Sequence, residues 1–213
     1  MTGHEAYDPN MRRTVKRLFG LTTALLLTAS VVVTVGCVRQ SGGVWYFHEA
    51  GTPKGWPELT PVGEVQVKQY PAYREAVVTS DSAKDSQGTM FRKLFKHIQR
   101  SDISMTAPVD MGSEAEVQTM AFLYDVPERG GVTDQGEVIV RDVPARSFAS
   151  IGVRGSYSDE QFQEAVEKLR EWFKGRTDFR EAGSPRYLGY NSPFVPFFWR
   201  YGEVQIPVEA SGR

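Results

Sequence analysis

Twice along this chain the apolar residues change spacing, from every second position to a helical period and back. Val65 and Val67 alternate with Glu64, Gln66 and Lys68, the period of a half-buried strand, and Tyr73–Thr79 continues as a second extended piece after Pro71. Phe91, Leu94, Phe95 and Ile98 then fall at i, i+3, i+4 and i+7, one face of a helix predicted over Ser86–Arg100. Strands are predicted at Ser104–Met111 and Thr119–Tyr124, closed by Pro127 and the Gly130-Gly131 turn.

The second half repeats this order. Glu137–Val143 and Arg146–Val153 read as strands. Ser158, with Gln161 three residues on, has the form of a capping box, in which side chains satisfy the free backbone donors of a helix start. Phe162, Val166, Leu169 and Phe173 supply the stripe of that helix, Gly175 stops it, and Tyr187–Tyr190 and Glu203–Val208 end the pattern as strands. Two rounds of strands, helix, strands predict an α+β fold: a distorted antiparallel β-barrel built from two strand-helix-strand repeats, with one helix on each flank. No close sequence repeat accompanies the duplication, so it rests on element order alone.

The first forty residues stand outside that pattern. Arg12, Arg13, Lys16 and Arg17 precede an uncharged run, Leu18 to Val38, rich in Leu, Val, Ala and Thr. This is the layout of a secretory signal or an N-terminal anchor, and a run of about twenty residues is long enough to span a bilayer once. Basic residues on its N-terminal side predict that the remainder of the chain lies outside the cytoplasm. Cys37, the only cysteine, ends the run; Thr34-Val35-Gly36-Cys37 resembles a bacterial lipoprotein processing site, departing from it at Thr34, where Leu is usual. Lipidation at Cys37, an uncleaved single-pass anchor and an ordinary cleaved signal all remain open. Residues 1–37 are thus expected to be a signal or membrane-anchor segment. Residues 38–61, with Gly42, Gly43, Gly51, Gly55, Pro53, Pro57 and Pro61, are expected to be a tether. Its Val44-Trp45-Tyr46-Phe47 cluster suits either the lipid headgroup level or a seat on the domain. Residues 62–213 are the expected domain.

That domain stands without a disulfide, since one cysteine cannot make one. Hydrophobic residues at 40% and aromatics at 12% are globular values. A net charge of −1 lacks the basic footprint of a nucleic-acid binder. No nucleophile elbow or phosphate-binding glycine loop occurs, and the domain offers His97 alone, with His48 in the tether, so the parts of zinc sites and nucleophile–base pairs are missing. Glu203 reads as a structural hydrogen-bond partner. A binding protein, not an enzyme, is expected.

Met105-Thr106-Ala107-Pro108-Val109, followed by Tyr190-Asn191-Ser192-Pro193 and Glu203-Val204, resembles the signature of the SOUL haem-binding family, over about Val62 to Val208. The resemblance implies a distorted antiparallel barrel with two helices, and haem or a related tetrapyrrole as ligand. The family's fold is also related to drug-sensing effector domains. Some relatives place a histidine proposed as an axial ligand near Tyr70–Tyr73; this chain has none there.

Large, soft apolar side chains mark where such a ligand is expected. Met90, Phe91 and Leu94 on the first helix, Met105 after it, and Phe194, Phe197 and Phe198 in the segment Phe194–Trp199 are the candidate contacts. Aromatic faces and adaptable thioethers suit a flat macrocycle. The aromatic segment is expected either to close one end of the barrel or to line a cleft. Lys93 and Arg200 are candidate partners for ligand carboxylates. His97 is the candidate iron ligand and equally a rim or surface residue, flanking the apolar stripe. A non-haem amphipathic ligand, lipid or drug-like, and a protein-interaction role for the aromatic segment are the alternatives.

Overall fold

The computed structural model describes residues 38–80, 86–114, 117–132 and 134–211; the charge-free run up to Cys37 lies outside the described residues. Among the described residues no helix is long and apolar enough to cross a membrane. In chain order the elements are β1 (Val38–Ser41), β2 (Val44–Phe47), β3 (Val65–Tyr70), β4 (Tyr73–Thr79), α1 (Gln87–Arg100), β5 (Val109–Glu114) and β6 (Val117–Leu123). The second half holds β7 (Asp134–Gln135), β8 (Val138–Val143), β9 (Arg146–Arg154), α2 (Asp159–Phe173), β10 (Phe179–Glu181), β11 (Arg186–Gly189) and β12 (Tyr201–Ala210).

Local chemistry sets the helix ends. Ser86 Oγ accepts the Thr89 N–H and Ser158 Oγ the Gln161 N–H, each satisfying a donor with no partner inside its helix. The buried arc of α1 is Met90, Leu94, His97 and Ile98, rotated from the predicted stripe and leaving Phe91 and Phe95 part-exposed. His97 occupies the arc because Tyr124 OH lies 2.8 Å from its Nε2, which satisfies a polar ring inside the core.

Ten strands form one sheet in the order β3-β9-β12-β11-β5-β6-β4-β8-β7, with β10 paired to β12, and every strand pairing in it is antiparallel. From β3 to β8 this order is a palindrome. Exchanging β3 with β8, β4 with β9, β5 with β11 and β6 with β12 reads it backwards, so the duplication expected from element order is a pseudo-two-fold between β11 and β5. The pairings form an open path: no ladder among the described residues joins β3 to β4 or β8. Only Pro71-Ala72 links β3 to β4 and Pro144-Ala145 links β8 to β9, so the two ends of the path approach each other at these connections.

Each half packs its helix on the same face of the sheet. Leu94, Met90 and Ile98 of α1 meet Ala76, Val78, Phe122 and Val140; Ala165, Val166 and Leu169 of α2 meet Ala149, Ile151, Val204 and Ile206. The predicted strand at Ser104–Met111 begins only at Val109. Pro108 follows a cis bond and has no N–H to give a ladder, while Thr106 and Ala107, adjacent in sequence, are both buried.

The segment expected as a tether is built into the domain. Gly42 and Gly43, both at positive φ, turn β1 into β2. Val44 and Tyr46 then pack with Leu59, Tyr190 and Tyr201, and Trp45 points out. Residues 56–60 lie as a strap over the face opposite the helices. Gly152 has no side chain where the strap passes, and a Cβ there would meet Thr60 O at 2.2 Å.

Candidate functional site

Two cavities of nearly equal size flank the central strands, one on each face of the sheet, and their linings separate them chemically. On the face away from the helices, about 480 Å³ is bordered by Glu75, Asp110, Arg141, Arg186 and Tyr73. These charges are matched. Arg186 donates to Asp110 Oδ2 at 2.7 Å, to Gln205 and to Tyr73 OH, and stacks on Phe148 at 3.8 Å; Arg141 donates to Glu75 at 2.7 Å. Burial, opposed by Arg186, pushes the Tyr73 phenol up to about 12.

Beneath the strap the same face holds Glu203, fully buried. Its carboxylate accepts from Lys68 Nζ at 2.7 and 2.8 Å, Thr60 N at 2.8 Å, Gln205 Nε2 at 2.8 Å, Ser150 Oγ at 3.0 Å and Tyr201 OH at 3.0 Å. Burial alone raises a carboxyl's pKa; the Lys68 ammonium and these donors outweigh it and hold Glu203 below the usual glutamate range. This is a closed structural network and agrees with the structural role expected of Glu203.

The second cavity, about 520 Å³, lies on the helix face between α1 and α2 and crosses the pseudo-two-fold. Met111 of β5 and Tyr187 of β11 are register partners at its floor. Met90 of α1 and Met120 of β6 border it on one side, Phe162 and Val166 of α2 on the other, with Tyr157 at the start of α2. Arg170 is a cation of this lining, held to Glu181 by a 3.3 Å pair that is largely exposed and therefore weak. Tyr157 adopts φ 61°, an uncommon conformation for a bulky residue. Two bonds fix it there: its OH donates to Tyr201 O at 2.7 Å and accepts the Asn191 N–H at 3.1 Å. Burial raises the pKa of both Tyr157 and Tyr187, so they face the cleft as neutral phenols. Three thioethers and three aromatic rings give this cleft soft apolar surface, and Gln87, Gln118, Thr119, Asp159 and Gln163 add polar groups to its border, so it suits an amphipathic ligand with a flat or flexible apolar body.

Of the residues expected at a ligand site, Met90 lines this cleft. Leu94 is in the core under α1 and Met105 packs at its margin. Phe91 stacks on Phe95 and meets Phe122 edge-on, on the outer flank of α1. His97 is engaged with Tyr124 and lies outside the cleft lining. Phe194, Phe197 and Phe198 neither close a barrel end nor line this cleft: they stand 95%, 61% and 60% exposed on a separate loop, because only Val195 of that loop turns inward. Lys93 pairs with Glu137 at 3.1 Å, and Arg200 donates to Val195 O and Pro193 O, so neither flanks the cleft. Sequence reasoning missed Met120, Tyr157, Tyr187 and Arg170. The signal was indirect: only the palindromic pairing brings β5, β6 and β11 together between the helices. Among the described residues no group of three or more His, Cys, Asp or Glu is placed to hold a metal ion.

The domain is thus a duplicated antiparallel α+β fold with a cleft on its pseudo-dyad. The family model described as SOUL heme-binding protein matches residues 58–207. The chain belongs to the SOUL family. No curated protein matches it. Solved structures share the fold. The EcmrR C-terminal domain is 17% identical with a TM-score of 0.50, covering 68% of this chain and 97% of that one. A hydrolase from Listeria innocua is 10% identical with a TM-score of 0.53, covering 70% and 94%. Identities this low speak for the fold alone. The signature residues are themselves structural: Asn191 accepts the Tyr201 N–H and donates to Phe47 O, and Thr106 Oγ1 donates to Leu123 O.

Proposed function

We propose that the chain binds haem or a related tetrapyrrole in the cleft between α1 and α2, chiefly by apolar contact. The lining supports this: Met90, Met111, Met120, Phe162 and Tyr187 offer thioethers and ring faces to a flat macrocycle, and Arg170 can turn to a ligand carboxylate. The residues present fit the macrocycle better than they fit histidine ligation, since the cleft lining has no histidine. Bound haem would supply an iron centre, for which thioether sulfur is the soft donor at hand. The missing histidine also favours a second reading, an iron-free amphipathic ligand such as a lipid or drug-like compound.

We propose further that the domain works outside the cytoplasm, held to a membrane through residues 1–37, either by a lipid on Cys37 or by the uncharged run itself. The basic-then-apolar order of Arg12–Val38 supports this. In this role the protein is a carrier, buffer or sensor, with no catalytic step.

Titration with haem and with iron-free protoporphyrin, followed at the Soret band, tests the cleft. Phe162→Ala or Met111→Ala removes contact worth about 1.5–3 kcal/mol when fully buried, a loss of roughly ten- to a hundred-fold in affinity. The iron-free porphyrin is expected to bind almost as well as haem. Normal binding by both variants, together with loss of the Soret shift in a folded His97→Ala protein, refutes the cleft reading in favour of histidine ligation.

A further inference from the structure

We infer that the face carrying Trp45, Val62, Phe194, Phe197, Phe198 and Trp199 is a membrane-docking surface that seats the domain on the lipid headgroup layer. The inference rests on the proposed membrane attachment through residues 1–37 and adds an orientation to it. These large apolar side chains are all exposed, Phe194 at 95% and Trp45 at 55%. Isolated exposed apolar residues are ordinary, but a contiguous group marks a contact site. Trp45, Val62, Phe198 and Trp199 border one shallow depression together with Pro61 and Arg154.

The loop presents its rings from a fixed frame. Arg200 Nε donates to Val195 O at 2.7 Å, Arg200 Nη2 to Pro193 O at 2.5 Å, and Trp199 N to Pro196 O at 2.8 Å; Val195 is the buried pin. The rings are therefore displayed outward by an ordered loop whose polar groups are satisfied from behind. Arg154 fastens this loop to β2, donating to Trp199 O at 2.9 Å and to Trp45 O, with its guanidinium over the Trp199 ring. Aromatic rings, Trp among them, held outward by a frame that satisfies its own polar groups from behind are the chemistry of an interfacial seat.

The position of the chain outside the structure chooses lipid over a protein partner. The uncharged run Leu18–Val38 leads directly into β1. The turn at Gly42-Gly43 brings β2 back along β1, so that Arg39 Nη1 meets His48 Nε2 at 3.2 Å. Phe47, next to that point, packs edge-on against Trp199 at 5.6 Å, and Asn191 Nδ2 donates to Phe47 O. The described chain thus begins beside the aromatic loop. A run held in or on a bilayer delivers this face to the lipid at high effective concentration.

The test uses the full chain in vesicles of phosphatidylcholine and phosphatidylglycerol whose acyl chains carry bromine, a contact quencher of tryptophan. Two variants divide the four tryptophans: Trp56→Phe/Trp172→Phe retains Trp45 and Trp199, and Trp45→Phe/Trp199→Phe retains the other two. Strong quenching of the first and little of the second is the expected result. Phe194→Ser/Phe197→Ser/Phe198→Ser, at exposed positions where the fold is indifferent, should abolish most of the quenching while the melting curve stays unchanged. A chain that floats with vesicles yet shows Trp45 and Trp199 unquenched overturns the docking surface and leaves the attachment through residues 1–37 standing. A chain that does not float overturns both. Should Trp56→Phe/Trp172→Phe misfold, hydrogen exchange at residues 194–199 in vesicles, compared between the wild-type chain and the triple variant, reads the same contact; equal exchange in the two overturns it.

Discussion

Replacing Glu203 by Gln leaves a shape of nearly the same size under the strap and strands the Lys68 ammonium beside it. In the wild type, Lys68 Nζ has both carboxylate oxygens and Glu58 O as acceptors, with side-chain exposures of 6% for Lys68 and 0% for Glu203. In Glu203→Gln the new amide still takes the Thr60 N–H on its oxygen but turns a second donor toward Lys68. Removing one member of a buried ion pair typically costs 3–5 kcal/mol, against a total stability of about 5–15 kcal/mol. Lys68→Met should cost less, about 1–3 kcal/mol, because the carboxylate keeps the donors from Thr60, Ser150, Tyr201 and Gln205. The double variant Lys68→Met/Glu203→Gln has no charge to strand and should be more stable than Glu203→Gln alone, with a coupling of about 0.5–3 kcal/mol.

Urea unfolding followed by far-ultraviolet circular dichroism measures all four proteins, and pH adds an independent check. Glu203 titrates below its unfolded-state value of about 4.3. Its stabilisation is therefore complete above that value and is withdrawn as the pH falls through the folded-state pKa. Glu203→Gln should lack this acid-dependent loss. Burial instead pulls the pKa of Lys68 down, and Glu203, which opposes that pull, is gone in the variant. Its deficit should shrink as the pH rises toward the lysine's unfolded value of about 10.4, because the folded chain releases the proton first. Costs that simply add in the double variant would refute the reasoning, as would a Glu203→Gln protein within about 0.5 kcal/mol of wild type.

Two further substitutions probe the signature strand and the leader. Val109 packs at the margin of the core under α1, opposite Phe122, so Val109→Asp places an unpaired charge there; an insoluble or non-cooperatively melting protein is expected, and a sharp, wild-type-like melt would contradict the burial. Cys37→Ala should accumulate a heavier precursor carrying residues 1–36 if the cysteine is lipidated, and an unchanged mass in the membrane fraction would identify the uncleaved anchor instead.

Element order was readable because periodicity records which face of each element is covered, and the palindromic sheet shows the same duplication in space. What periodicity cannot carry is the partner. Phe91 and Phe95 fit an apolar stripe better than His97 does, yet His97 is inside because Tyr124, twenty-seven residues away, satisfies its ring. Glu203 could be read as structural from its place in a strand, but its donors come from residues 60, 68, 150, 201 and 205, which only the folded sheet assembles. The segment 38–61 reads as a tether by its glycines and prolines. Its alternation hid a docked strand, with Val44 and Tyr46 inward and Trp45 outward. The aromatic loop misled for the opposite reason: density of rings argues for burial, yet the rings stand exposed and the aliphatic Val195 between them is the side chain of that loop that is buried.

The proposed location of the ligand site rests on how the two faces of one sheet use their polar groups. The face under the strap carries Lys68 with Glu203, Arg186 with Asp110 and Arg141 with Glu75, each pair close enough that an apolar ligand there would have to desolvate matched charges or lift the strap. Among the described residues no such pair stands at the centre of the helix face. There the two hydrophobic cores fall short of meeting, and the gap is bordered by adaptable side chains: Met90, Met111 and Met120 on one half, Phe162 and Tyr187 on the other. A fold that doubles a strand-helix-strand unit must leave some junction between its two cores. In this chain the junction is spanned by Met111, which packs against both cores, and is bordered by soft apolar side chains with polar ones such as Gln118 and Gln163 among them. A macrocycle bound there, as proposed, would complete the contact that neither helix makes with the other, so that ligand binding and the joining of the two halves would draw on the same surface.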